Sequence, residues 1–182
     1  MIDFGKFEEK TGIKFKDKRM LEQAFIHRSF LNENSGLELE HNERLEFLGD
    51  AVLELVVTNF LYKKYPDKNE GELTAYRSAL VNAIIIAEVA SEIGMNEFLL
   101  LSKGEAKDTG KARQYILANT FEAYVGAVYL DQGYDAASGF ITKYLLPKTE
   151  EIVRKNLWRD AKSLVQEKAQ EFLAVTPSYK VI

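Results

Sequence analysis

An amide and an acid interrupt the most apolar stretch of the chain. In YILANTFEAYVGAVYL, Asn119 and Glu122 bring groups that are costly to bury into an otherwise apolar run. Residues three apart lie on the same face of a helix. Oxygen-bearing side chains are the ligands that hard cations such as Mg²⁺ prefer. This pair therefore raises the hypothesis of a metal site inside a helical protein.

A second stretch, HNERLEFLGDAVLELV, carries acids at helical spacing. These acids are Glu43, Glu46, Asp50 and Glu54. They fall within an arc of about 80° on a helix. Taken alone, such a stripe is usually a solvated face, and this interpretation stays open. If Glu46 and Asp50 face Asn119 and Glu122, four oxygen ligands converge, which is enough for one or two Mg²⁺ ions.

An interhelix hydrogen bond, for example from Asn119 to Glu46, is the alternative to a metal site. It would leave three acids close together with no cation nearby in the sequence. Buried like charges without a counter-ion are costly. We therefore favour the metal interpretation.

Composition limits the kinds of chemistry that the chain could perform. The 182 residues include 2 histidines and no cysteine, so a metal site would consist mostly of carboxylates. The net charge of −4 argues mildly against a general nucleic-acid binder. We find no Walker-type glycine-rich loop and no constellation for nucleophilic catalysis. Without a signal peptide or a membrane-length apolar run, we expect a cytoplasmic protein with no membrane partner.

Helical periodicity between only three prolines predicts an all-α body. We expect a short helix over 2–11, a second over KRMLEQAFIH with Asp17 as its N-cap, and a polar loop at SFLNENSGLELE. Two long helices should cover 42–65 and 111–131, with EGELTAYRSALVN and 82–93 forming helices between them. Asp135 should cap a further helix that extends to residue 156. The segment KNLWRDAKS is typical of a linker, and TPSYKVI of a strand that is just beginning.

The stretch HNERLEFLGDAVLEL resembles the signature of the ribonuclease III endonucleases, whose core is NERLEFLGD. LEQAFIHRSF, YPDKNEGELTAYRSALVN and LANTFEAYVGAVYLD resemble other family segments and occur in family order. The tail resembles the beginning of the family's C-terminal double-stranded-RNA-binding domain. The resemblance implies an all-α endonuclease domain over 1–156, followed over 157–182 by a linker and an incomplete α+β RNA-binding domain.

The resemblance also implies an activity and a site. Family members are homodimers that cleave double-stranded RNA, typically ribosomal precursors, with Mg²⁺ or its substitute Mn²⁺, leaving 5′-phosphates and short 3′ overhangs. The residues at the metal-ligand and catalytic positions are Glu46, Asp50, Asn119 and Glu122. Glu43 and Glu70 match acids with supporting roles. Phe47 matches an aromatic that packs into the partner subunit, with a core Phe as the alternative. Gly49 and Gly126 would allow two helices to approach closely.

RNA contacts are expected at a basic loop and at the start of the second domain. The loop residues are Lys103, Lys107, Lys111 and Arg113, for which an ordinary solvated loop is the alternative. Gln166 and Glu167 match positions on the first helix of the RNA-binding domain that reach the minor groove. Arg77 is a weaker candidate. We interpret His27 as a packed, hydrogen-bonded histidine rather than a metal ligand.

One position departs from the family pattern. The family has Asp where this chain has Asn119, which keeps the shape but loses the charge. We expect weakened Mg²⁺ binding and slow or absent cleavage, with the fold and RNA docking preserved. A non-catalytic RNA-binding or ribosome-associated protein of the same fold is the first alternative. A helical hydrolase of small phosphoesters is the second. Since only one ligand position is altered, the endonuclease remains the favoured function.

Overall fold

The computed structural model describes residues 2–158, 169–170 and 172–178, and the regular structure in them is helical. The helices are α1 (Gly5–Thr11), α2 (Lys18–Ala24), α3 (Arg28–Glu33), α4 (Glu43–Lys64), α5 (Glu70–Leu80), α6 (Ala83–Glu92), α7 (Lys111–Gln132), α8 (Tyr134–Tyr144) and α9 (Lys148–Arg154). Short 3₁₀ helices cover Met95–Phe98 and Glu105–Lys107. The only strand-like pairing in the described residues is a single parallel bridge between Ile26 and Leu100. The predicted all-α fold is confirmed.

Helix α7 is the centre of the domain, because α2, α4, α6 and α8 all pack around it. Phe121, Tyr124 and Val128 on this helix are completely buried. Tyr124 packs edge-on against Phe7 of α1, with ring centroids 5.1 Å apart. A polar side chain that faces inward from α7 is therefore largely removed from water, which raises the cost of ionising it.

Several predicted helix boundaries are confirmed. The two long helices lie at Glu43–Lys64 and Lys111–Gln132, within one residue of the predicted ends. Asp17 accepts a hydrogen bond from the Arg19 backbone N–H, as expected of an N-cap. The side chain of Asn82 accepts two backbone N–H groups, so α6 begins afresh after α5.

Several local predictions were wrong. The stretch predicted as a polar loop contains most of α3, whose first turn is capped by the imidazole of His27 accepting the Ser29 N–H. Asp135 lies inside the first turn of α8 instead of capping it, and α8 ends at Tyr144. Helix α9 begins separately after Pro147, because proline lacks the N–H that an uninterrupted helix would need. The first helix also begins three residues later than predicted, at Gly5, and the second ends at Ala24, three residues before the predicted end.

The C-terminal part of the chain is only partly described. Trp158 packs against Tyr76 with ring centroids 5.0 Å apart, so the beginning of the predicted linker belongs to the helical body. Most of the predicted second domain, including Gln166 and Glu167, lies outside the described residues. Residues 176–178, where a strand was expected to begin, have no regular structure.

Within the described segments, no single helix has both the length and the apolar character needed to cross a bilayer, although α5 and α6 would meet that test as one bent pair.

Candidate active site

Two glycines allow α4 and α7 to touch backbone to backbone. A Cβ added to Gly49 would overlap the carbonyl oxygen of Glu122, and one added to Gly126 would overlap the carbonyl oxygen of Leu45. Because residue 45 meets 126 and residue 49 meets 122, the two helices run antiparallel. The predicted role of both glycines in close helix approach is confirmed. This contact brings the acid stripe of α4 to the polar pair of α7.

The two helices bring Glu46, Asn119 and Glu122 into one half-buried group, with Asp50 exposed at its edge. The side-chain amide of Asn119 faces the carboxylate of Glu46 and stabilises its charged form, which lowers the pKa of Glu46. This is the interhelix pairing considered as an alternative to a metal site. It favours one acid of the group but provides no positive charge for the others.

The surroundings of this group disfavour the ionised form of its carboxylates. Burial, reinforced by the charges of Asp50 and Glu46, raises the pKa of Glu122 to about 8. Burial, followed by the charges of Glu43 and Asp50, also raises the pKa of Glu46, and the amide of Asn119 only partly opposes this effect. At neutral pH, Glu122 is therefore mostly protonated in the absence of a cation.

The donor set fits a hard divalent cation in its chemistry, because it consists of carboxylate and amide oxygens. The carboxylates repel one another when they are ionised, and a cation would remove that repulsion. Among the residues that the structure describes, however, no three His, Asp or Glu side chains approach closely enough to form a metal-binding cluster. The third inward-facing position is an amide and Asp50 points towards solvent. A cation at this position would thus be held by Glu46 and Glu122, with Asn119 and Asp50 completing the oxygen set.

The raised pKa of Glu122 predicts an inverse dependence of stability on pH. Between about pH 4.5 and pH 8 the folded protein holds a proton that the unfolded chain releases, so stability falls as pH rises through this window. In EDTA, we expect the Tm to drop by about 3–6 °C from pH 5 to pH 8. Thermal denaturation of the wild type and of Glu122→Gln measures this, and the variant should lose most of the slope.

Glu54→Gln, which changes an exposed acid of α4, is the matched control and should keep the wild-type slope. An equally steep decline in Glu122→Gln would show that Glu122 is not the group responsible.

Glu43 and Glu70, the two predicted supporting acids, occupy different places. Glu43 lies 3.5 Å from the Arg28 guanidinium and 3.9 Å from Nδ1 of His41. The negative charge of Glu43 contributes to raising the pKa of Glu46. Glu70 instead begins α5 and lines a separate cleft of about 430 Å³. It is not among the acids that shift the pKa of Glu46 or Glu122. Sequence reasoning missed Arg28, since nothing local links it to an acid 15 residues away.

The basic loop is held in place by hydrogen bonds from one of its own basic residues. Lys103, Lys107 and Lys111 are exposed, whereas Arg113 is half-buried. The Arg113 guanidinium donates to the carbonyls of Asp108 (3.2 Å) and Glu105 (2.7 Å) and to the side chain of Asn96 (3.1 Å). Arg113 therefore shapes the loop from within, and the three lysines are its outward-facing cations.

Helix α3 holds the other end of this loop. The Ser29 hydroxyl accepts the Ser102 N–H at 3.1 Å, and the Glu33 carboxylate accepts the Lys103 N–H at 3.1 Å. The His27 ring is half-buried and hydrogen-bonded to Ser29, and burial lowers its pKa. The interpretation of His27 as a structural residue is therefore confirmed. Arg77 donates to the Thr58 hydroxyl at 3.0 Å and lines the Glu70 cleft.

Phe47 is the most exposed large apolar side chain among the described residues, with 82% of its surface accessible. It borders a cleft of about 650 Å³ whose apolar lining includes Met20, Leu48 and Leu130. The alternative interpretation of Phe47 as a core residue is therefore wrong. A protruding aromatic beside an apolar cleft has the shape of a self-complementary contact.

Fold and site together define a helical domain with an acidic centre between its two longest helices, and comparison with known proteins identifies its class. A family model described as Ribonuclease-III-like matches residues 17–149. Ribonuclease 3 of Bdellovibrio bacteriovorus is 43% identical over 100% of this chain and 79% of its own length. Ribonuclease 3 of Bacillus licheniformis is 42% identical over 98% of this chain and 72% of its own.

Solved structures agree with this assignment. The nuclease domain of ribonuclease III from Campylobacter jejuni, described for flexibility in a region involved in dimer formation, superposes with a TM-score of 0.72. It is 37% identical, covering 81% of this chain and 98% of that domain. Dicer from Pichia stipitis gives a TM-score of 0.59 at 30% identity, over 90% of this chain and 70% of that one. The chain therefore belongs to the ribonuclease III family of endoribonucleases.

Proposed function

We propose that this chain is a divalent-cation-dependent endonuclease that cleaves double-stranded RNA to 5′-phosphate products with short 3′ overhangs, and that Asn119 weakens it. The observation that carries the proposal is the group formed by Glu46, Asn119 and Glu122 where α4 meets α7, with Asp50 at its edge. Mg²⁺, or Mn²⁺ in its place, is the proposed cation. The family membership supplies the substrate class.

When bound, the cation would supply an activated water and stabilise the leaving oxygen of the phosphodiester. The residues of the chain do the rest. To hold the cation, Glu122 would have to give up its proton, and the Asn119 amide would keep Glu46 in place. Glu43 and Glu70 are proposed to support the site, Glu43 through its charge on Glu46 and Glu70 from its separate cleft. Arg28 restrains Glu43 from the far side.

RNA would be held by its backbone, because the wide minor groove of the A-form duplex offers 2′-hydroxyls and phosphates and little sequence information. The exposed lysines of the loop are the proposed phosphate contacts, and they suit this role because the loop is already ordered. We no longer propose a phosphate contact for Arg113, since its donors are used within the loop. Gln166 and Glu167 remain proposed minor-groove contacts. Processing of ribosomal precursors in the cytoplasm is the proposed setting.

The direct test is incubation with a long RNA duplex, the matching single strand and a DNA duplex, each with Mg²⁺ or EDTA. We expect slow cleavage of the RNA duplex alone, only with the metal, and 5′-phosphate ends on the products. Glu122→Gln should abolish cleavage while leaving the duplex bound.

A non-catalytic RNA-binding protein is the second candidate function. The pairing of the Asn119 amide with Glu46 favours it, because this amide partly stabilises the charge of Glu46 without a cation. Binding of the duplex with no cleavage, even with Mn²⁺ and even in Asn119→Asp, would establish this candidate and exclude the endonuclease.

We also propose a homodimer in which Phe47 of each subunit enters the apolar cleft of the other. Truncating a central aromatic anchor commonly costs 2 kcal/mol or more. Phe47→Ala should therefore weaken the dimer by about 30-fold or more, measured by sedimentation equilibrium. Ile84→Ala, which removes an exposed apolar side chain of α6 instead, is the control and should leave the dimer intact. Equal dissociation constants for Phe47→Ala and the wild type would rule out this contact.

A further inference from the structure

One face of α7 extends from the candidate active site to the basic loop. At 100° per residue, Lys111, Tyr115, Asn119 and Glu122 lie within an arc of about 80°. The face is deeply buried at Gly126, half-buried at Asn119 and Glu122, and open to solvent at Tyr115 and Lys111. It therefore forms a track that leads out of the site along the helix axis.

Tyr115 is the conspicuous residue on this track. It is 61% exposed although it carries a large aromatic ring, and it lies one helical turn, about 6 Å, before Asn119. In the described part of the chain, its side chain forms no hydrogen bond, and the ammonium of Lys111 one turn further out forms no ion pair. A phenol and an ammonium are thus both presented to whatever occupies the site.

We propose that Tyr115 contacts the ribose next to the scissile phosphodiester and positions that strand over Glu46 and Glu122, with Lys111 holding the following phosphate. This inference rests on the proposed function and assigns a substrate-contacting residue to it. The chemistry of the two side chains separates their roles. The Tyr115 hydroxyl both donates and accepts, which matches a ribose 2′-hydroxyl, whereas Lys111 is a point charge suited to phosphate.

A protein partner on this face fits the surroundings less well. Lys111, Asn119 and Glu122 flank the ring with polar groups, and the core of a protein interface is depleted in charged side chains. The exposed apolar surface around Phe47 has the opposite character, with Met20 and Leu130 at its cleft. A face that alternates an aromatic with polar and basic groups is instead typical of nucleic-acid contact.

The test combines a minimal substitution with a minimal change of substrate. Affinity is measured by fluorescence anisotropy in Ca²⁺ for an RNA duplex and for a series of duplexes with single 2′-deoxy nucleotides around the cleavage position. For the wild type, one deoxy position should weaken binding by about 5- to 10-fold. Tyr115→Phe should bind the all-RNA duplex more weakly by a similar factor. The 2′-deoxy substitution at that position should then weaken binding by the variant no further.

Tyr129→Phe makes the same chemical change near the other end of α7 and is the matched control. It should bind every duplex as the wild type does. The role of Tyr115 would be overturned if every deoxy substitution weakened binding by Tyr115→Phe as much as it weakens binding by the wild type. An equal loss of affinity in Tyr129→Phe would also overturn it. A change in oligomeric state on Tyr115→Phe would also overturn it, in favour of a protein contact. If the wild type bound no RNA duplex at all, the proposed function itself would fail, and this inference with it.

Discussion

Replacing Asn119 with Asp should raise Mg²⁺-dependent cleavage of an RNA duplex by about 10- to 100-fold. In the present chain the amide of Asn119 stabilises the charged form of Glu46 and adds no negative charge of its own. An aspartate cannot donate when ionised, so it would face Glu46 and Glu122 as a further acid. The added negative charge strengthens the attraction of the site for a divalent cation, so cation affinity and cleavage rate should rise together.

The same substitution should have a cost without the cation. Removing the amide and adding a half-buried like charge should destabilise the metal-free protein, and excess Mg²⁺ should restore its stability. Single-turnover cleavage, calorimetric Mg²⁺ binding and thermal denaturation with and without Mg²⁺ measure the three effects. Asn59→Asp, which adds a charge to an exposed position on α4, is the control and should leave all three unchanged. Equal cleavage rates for Asn119→Asp and the wild type would show that position 119 does not limit activity.

Replacing Gly49 with Ala should be among the most destabilising single-methyl changes in the domain. The new Cβ would overlap the carbonyl carbon and oxygen of Glu122, and neither belongs to a side chain that can rotate away. Helices α4 and α7 must then separate. Overpacking of this kind costs about 3 kcal/mol or more, which corresponds to a fall in Tm of about 6–12 °C.

Gly139 provides the matched comparison for this prediction. It lies inside α8 with no atom near the position that a Cβ would take, so Gly139→Ala should be neutral or stabilising by up to about 1 kcal/mol. Chemical denaturation of both variants measures the difference. Similar stabilities for Gly49→Ala and the wild type would mean that the two helices can part at little cost, and the close contact would not be what holds the site together.

The sequence was informative where the signal is local and periodic. Helices α4 and α7 were predicted nearly to the residue because each presents a long apolar pattern, and the signature motifs placed the acids on them. Helix α3 was missed because it is short and polar, and because its cap is the imidazole of His27, which is not among the usual capping side chains. Asp135 was misassigned because an Asp in the first turn is favourable whether or not it is the cap.

The site was harder to predict than the fold because its properties depend on contacts between distant segments. The pairing of Glu46 with Asn119 follows from the glycine contact and was anticipated. The pKa of Glu122 depends on how deeply α7 is buried, which no local pattern reports. Arg113 illustrates the same limit, since a basic residue in a basic loop suggests a phosphate contact until its carbonyl partners are known. Likewise, the family resemblance places Glu70 near the acids of the candidate site, and only the folded structure shows that it lies apart from them.

The loop that Arg113 and α3 hold in place has a consequence for the kinetics of association. A binding segment that is already ordered pays little conformational entropy when its ligand arrives. The capture of a duplex that we propose for Lys103, Lys107 and Lys111 would then need no folding step, and the encounter rate would be governed by diffusion and by the attraction between these cations and the phosphates. The first contact with RNA should accordingly be fast and sensitive to ionic strength, leaving selection of the cleavage position to the slower fit of the strand along α7.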